Sequence, residues 1–233
     1  MDLPSTWKRY SGIDWGYTAP WAVLWGAQDE DGRVWLYREL YATQVAESDQ
    51  AKRIVAAESG ETVAARYADD AMWASRGEAK PIATVYGEHG AHLTAAGKGP
   101  GSRISGWQRV HSFLAEGPAC PHHRALGWET CPKLHVFPQA ENLIRTLSAL
   151  PHATTGNPED VDTKAEDHAP DALRYLLINL GNESRWHFPG EEPETTTVDP
   201  QARPAVSVPL PPAQLPTHFG GFPVATGGGG LWG

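Results

Sequence analysis

Tyr10–Trp25, YSGIDWGYTAPWAVLW, decides the fold class. Gly12–Tyr17 and Trp21–Ala27 read as two strands, and Val34–Leu40 as a third. Asp31-Gly32 between the last two is a hairpin signal, so the chain opens with antiparallel strands. Strand and helix patterns then alternate. Val45–Ala57 reads as a helix, and Val63–Ala68 as a short strand ending at Asp69. Ala79–His89 reads as a helix, His92–Ala96 as a strand and Gly106–Ala115 as a helix. Leu134–Phe137 reads as a strand, and Glu141–Leu150 and His168–Leu180 as helices. An antiparallel start followed by α/β alternation predicts an α/β fold. Its mixed sheet has five or more strands, the first three antiparallel and the later ones parallel, with helices on its faces.

Three aspartate positions stand out on this frame. In Gly12-Ile13-Asp14-Trp15-Gly16, strand alternation puts Gly12, Asp14 and Gly16 on one face. A carboxylate between two residues without side chains leaves space for a metal ion and a sugar-phosphate backbone, or is simply an Asp in a Gly-rich turn. Asp69 follows a β-rich run at the carboxyl end of a strand, where open α/β sheets form their sites; the bland alternative is an ordinary strand-to-loop Asp. Asp70 is its neighbour and points elsewhere if Asp69 points inward. In Asp167-His168-Ala169-Pro170-Asp171, Pro170 belongs to a first helical turn. Asp167 and Asp171 are four apart and share a face. They serve either as further acids of a site or as an N-cap and a dipole partner. Carboxylates from a central strand, a neighbouring strand end and a late helix can hold two divalent ions, which clamp both oxygens of an in-line phosphodiester displacement. Hard oxygen ligands suit Mg²⁺ or Mn²⁺.

The bulk numbers bound the alternatives. The 233 residues allow one sizeable domain plus extras, and the net charge of −9 argues against phosphate attraction over the whole surface. Residues 182–233 are rich in Pro and Gly, lack periodicity and carry −3 of that charge, leaving −6 for residues 1–181. They read as a flexible, disordered tail; Trp232 within it is a docking aromatic or part of that disorder. Met1–Tyr10 is polar, without the apolar core of a signal peptide, and no apolar run approaches membrane length, so a soluble protein in a reducing compartment is expected.

Residues 8–181 resemble the nuclease domain of phage large terminases, the DNA-packaging motor proteins. The matching stretches are Tyr10–Trp25, Val34–Tyr41 (VWLYRELY), Arg66–Trp73 (RYADDAMW), Arg103–Val110 (RISGWQRV), Asn142–Leu147 (NLIRTL) and Glu159–Leu177 (EDVDTKAEDHAPDALRYLL). The acid-His pair ahead of Asp-Ala-Leu-Arg-Tyr is the most specific. The resemblance implies a ribonuclease H-like fold and two-metal cleavage of concatemeric double-stranded DNA in the host cytoplasm. It implies Asp14, Asp69 and Asp171 as metal ligands. Asp167 would be an extra ligand, and His168 an accessory proton-transfer or phosphate-contacting group. Partners implied are the ATPase motor domain, the portal and the small terminase subunit. Many relatives have Pro in place of Asp70. Gly97-Lys98-Gly99-Pro100-Gly101 has the wrong spacing for a phosphate-binding P-loop. The chain is therefore expected to be an excised domain or a split-gene product, without translocation of its own.

Two further groups carry chemistry. Lys98, Arg103 and Arg109 lie on and after the Gly-rich loop, as phosphate contacts or as a solvated segment. Cys120 and His123 followed by Cys131 and His135 have the spacing of a tetrahedral Zn²⁺ site. The competing reading is reduced cysteines and surface histidines in a loop insertion, with His135 directed by its strand. Rival classes are a structure-selective, resolvase-like nuclease, which would prefer branched DNA, and an actin-like or sugar-kinase-type phosphotransferase, which would bind ATP.

Overall fold

A computed structural model describes residues 3–180, apart from Lys98, Pro100, Thr155 and Thr163. The tail reading over 182–233, Trp232 and Lys98 lie outside the described residues.

The opening antiparallel unit forms as the alternation predicts: β1 (Lys8–Asp14), β2 (Trp21–Gln28) and β3 (Val34–Ala42). The first strand differs from expectation at both ends. It starts at Lys8 and stops at Asp14. Beyond it the chain turns so tightly that a Cβ on Gly16 would meet the Ala19 and Pro20 carbonyl oxygens at 2.4 and 2.5 Å. Gly16 therefore serves the turn and does not share a strand face with Asp14.

Helix α1 (Glu47–Ala57) leads to β4 (Val63–Ala68), which pairs with β1 in parallel. A short 3₁₀ turn, Asp70–Trp73, precedes α2 (Ile82–Glu88), whose start is set by Pro81. The strand expected over His92–Ala96 is the two-residue β5 (Thr94–Ala95), parallel to β4. Helix α3 (Ser102–Leu114) begins four residues earlier than expected, immediately after Gly101 at φ 79°. A small insertion follows that no sequence period announces: β6 (Glu116–Pro118), α4 (Pro121–Ala125) and β7 (Thr130–Pro132), with β6 and β7 antiparallel. Strand β8 (Leu134–Val136) returns to the main sheet, parallel to β3. Helices α5 (Glu141–Ala149) and α6 (His168–Leu180) follow.

The main sheet has six strands in the order β5-β4-β1-β2-β3-β8. Alternation along its strands sorts the core into two layers. Tyr10, Leu24, Val34 and Leu36 face one side with Trp107, Leu143, Leu173, Leu176 and Leu177 from α3, α5 and α6. Ile13, Trp21, Val23 and Trp25 face the other, with Ile54 of α1, Met72, and Tyr86 of α2. Burial of each large aliphatic side chain contributes about 1.5–3 kcal/mol, so α6, with Leu173, Leu176, Leu177 and Leu180 all buried, is a principal anchor.

Helix α6 lies directly against β1. A Cβ added to Gly12 would stand 2.0 Å from the Ala172 carbonyl oxygen and 2.9 Å from the Leu176 Cβ. The sequence suggested that Gly12 leaves room for a ligand; that room is filled by the helix.

Candidate active site

Strands β1 and β4 run side by side in parallel, with Ile13 opposite Ala68. The next residue on each is an aspartate. Asp14 ends β1, and Asp69 follows β4 directly. The two acids thus occupy neighbouring carboxyl ends of central strands, which lie roughly 4.7–4.9 Å apart. Gly12 admits α6 so closely that Asp171, one residue before Ala172, is brought to the same place. Asp14 and Asp171 are both largely buried.

The charges of the three act on one another. Asp14 is pushed up from its ordinary 3.8 to about 6. Burial is the main cause, with repulsion from Asp171 and Asp69 adding to it and the hydrogen bond to His168 opposing it. Asp167 is also raised, by burial and then by Asp171. Burying several like-charged carboxylates together is costly without compensating positive charge.

Each acid has a dedicated holder. His168 Nδ1 lies 2.8 Å from Asp14 Oδ2, and that hydrogen bond is the leading reason its pKa is raised. Asp69 Oδ1 accepts from the Ala71 amide at 2.8 Å, and Asp69 Oδ2 accepts from the Tyr175 hydroxyl. Asp171 Oδ1 accepts from Arg174 Nε at 3.0 Å. The Arg174 guanidinium is buried between the Trp107 and Tyr175 rings. Gly106 makes room for it, since a Cβ there would meet the Arg174 stem at 2.7 Å.

Arg103 and Arg109 are engaged within the protein. Arg103 reaches Asp160 at 2.8 Å and Asp167 and Asp171 at 3.4 Å each. Arg109 donates to the Leu177 carbonyl and stacks over Phe113. Asp70 turns away from Asp69, as expected, and accepts from the Gly97 amide at 2.9 Å, pinning the start of the Gly-rich loop. Sequence reading missed Arg174, Tyr175 and Asp160. The first two carried a signal, because on a helix they stand three and four residues after Asp171. Asp160 carried none. Cys120, His123, Cys131 and His135 come together at the β8 edge of the sheet.

The donor set fits divalent cations. All three central acids offer hard carboxylate oxygens, and each oxygen hydrogen-bonded to Arg, Tyr or His keeps a further lone pair.

No family model matches the chain, and no curated protein matches its sequence. Solved structures do. The large terminase of a thermophilic bacteriophage superposes with a TM-score of 0.55 over 75% of this chain, at 13% identity. The P22 large terminase nuclease domain gives a TM-score of 0.54 over 76% of this chain and 88% of its own length, at 17% identity. The fold is that of a phage large-terminase nuclease domain. At these identities the likeness is one of architecture. The chain spans only about 40% of the length of the thermophilic phage's terminase. Within the terminase-nuclease fold, the mixed order of antiparallel and then parallel strands agrees with the arrangement expected from the sequence.

Proposed function

We propose that this chain is a metal-dependent endonuclease that cleaves double-stranded, concatemeric phage DNA during genome packaging. The observation that carries this reading is that Asp14 and Asp69, at adjacent parallel strand ends, are each hydrogen-bonded to α6, by His168 and Tyr175, on either side of Asp171 in that helix. Asp14, Asp69 and Asp171 would hold two Mg²⁺ or Mn²⁺ ions, with Asp167 as a further acid beside them. When bound, such ions supply an activated water and neutralise charge on the attacking and leaving oxygens.

The remaining work falls to the chain's own groups. His168 keeps Asp14 oriented and offsets part of its buried charge. Tyr175 would hold the second oxygen of Asp69, Oδ2. Arg174, itself buried, would hold Asp171 in place through its hydrogen bond to Oδ1. Arg103 bridges Asp160, Asp167 and Asp171, balancing the acids. Such outer partners commonly matter about 10–100-fold for metal affinity or activity. In a packaging assembly the ATPase motor, portal and small subunit would bring the DNA, and the motor would supply much of the grip that an acidic domain lacks.

The test is direct. The purified chain is incubated with supercoiled plasmid and Mg²⁺ or Mn²⁺. Nicked and then linear product is expected, and it should cease with chelator. Undiminished cutting in excess chelator would sink the proposal.

A further inference from the structure

At the β8 edge of the main sheet, four side chains converge that the nuclease reading does not use. Cys120, His123, Cys131 and His135 each present a ligand atom, and these atoms all lie within 4.8 Å of one another. Cys120 caps α4: its Sγ accepts from the His123 amide and stands 3.1 Å from His123 Nδ1. The Cys120 amide in turn points at Cys131 Sγ, 3.2 Å away. Both cysteines are buried free thiols. His135 comes from β8, opposite Trp35 of β3. Its ring stacks on Trp35 at 3.9 Å and on His123 at 4.9 Å. The residue is only 8% exposed, and its Nε2 is buried with no hydrogen-bond partner among the described residues. Folded proteins seldom leave a buried ring nitrogen so.

We propose that Cys120, His123, Cys131 and His135 bind a structural Zn²⁺ ion. Two sulfurs and two imidazole nitrogens are a preferred tetrahedral set, with bonds of about 2.3 and 2.0–2.1 Å. A tetrahedron of those bonds has edges of roughly 3.3–3.8 Å, so no pair in the cluster has to close by more than about 1–1.5 Å. Each thiol releases its proton on binding, and two thiolates then cancel the ion's charge, which suits a buried place. A Cys120–Cys131 disulfide would use only half the cluster and leave the His135 nitrogen unanswered.

The surroundings explain why an ion is needed. The insertion consists of three-, five- and three-residue elements. Among the described residues its buried apolar cluster is Trp35, Ala119, Cys120 and Cys131, with Leu3, Trp7 and Phe137 packed on it partly buried, while Leu126 and Trp128 are exposed. So small a core rarely holds a fold without a staple. Strands β2 and β3 separate β8 from the strand carrying Asp14, so the role is architectural.

The full chain, produced with zinc under reducing conditions and gel-filtered, should carry about one zinc by elemental analysis. The Asp14→Asn/Asp171→Asn double variant should carry the same. Titration of the apo chain with Co²⁺ should give the visible bands of tetrahedral cobalt with sulfur-to-cobalt charge transfer, and His123→Asn or Cys131→Ser should remove them. The wild-type titration answers the question even if a variant fails to fold. Three outcomes overturn the proposal: folded wild-type chain that retains no zinc and gives no cobalt spectrum; a Cys120–Cys131 disulfide persisting under those reducing conditions; or zinc lost in the aspartate variant and kept in Cys131→Ser.

Discussion

Tyr175 and Asp69 stand 106 residues apart in sequence and meet at 2.8 Å, the phenol donating to the carboxylate. This contact ties the strand-end acid to the helix that carries Asp171. Tyr175→Phe removes only the hydroxyl. We expect plasmid nicking to fall about 10-fold, with the circular dichroism spectrum unchanged and part of the loss recovered at higher Mn²⁺. Full activity at limiting metal would show that Tyr175 does not position Asp69.

Asp14→Asn, Asp69→Asn and Asp171→Asn should each cut nicking by more than about 100-fold, beyond the effect usual for outer partners. Asp70→Asn should leave most activity, since Asp70 serves the Gly97 amide. A dead Asp70→Asn beside an active Asp69→Asn would reverse the assignment of those two acids. Initial nicking rates at saturating metal decide it.

Asp14 also sets a pH dependence of stability. Folded Asp14 keeps its proton to about pH 6, whereas an ordinary Asp releases it near 3.8. Its folded pKa is the higher one, so its contribution is full below about pH 4 and is lost as pH rises through 6. In metal-free buffer at pH 8, Asp14→Asn should therefore melt higher than the parent, by roughly 5–10 °C. The gap should shrink at pH 4, and Mg²⁺ should raise the parent only. Thermal scans at both pH values test this, and an equal gap at pH 4 and pH 8 would contradict it.

Gly12→Ala should be among the most damaging single changes. Its methyl group meets backbone, not a flexible side chain, so α6 must move off β1. A loss of about 3 kcal/mol or more is expected. Denaturant unfolding measures it, and a near-neutral result would mean the helix can shift without cost.

Arg103→Gln separates internal pairing from phosphate contact. Arg103 already faces Asp160, Asp167 and Asp171. DNA binding by an Asp69→Asn background, followed by fluorescence anisotropy against salt, should keep the same slope after the substitution. A slope reduced by about 1 would reveal a phosphate contact.

Much of this was legible in the sequence because it is written locally. Alternation marked the antiparallel opening and strands β2 and β3, though not the bounds of β1, and Asp69 stood out at the end of a β-rich run. Asp171 was marked by Pro170 and the leucine stripe. What was not legible depends on contacts between distant segments. Nothing near Gly12 says that Ala172 will press on it, and nothing near Arg103 says that it faces Asp160 rather than solvent. The elements between Glu116 and Pro132 are too short to show a period. The alternation of β8, read as an argument against a Cys/His cluster, is what turns His135 into it.

Helix α6 holds His168 and Asp171 on its first turns and the leucines of the main core on the rest. The site and the hydrophobic interior are therefore completed by one and the same docking event. Asp14 waits on a partner 154 residues further along the chain. During synthesis the opening strands emerge well before α6. A nascent, misfolded or locally unravelled copy lacks an assembled cluster of acids. Under the nuclease function proposed above, cutting power would then appear only in molecules that have finished folding, a safeguard for any cell that must make this protein beside intact chromosomes.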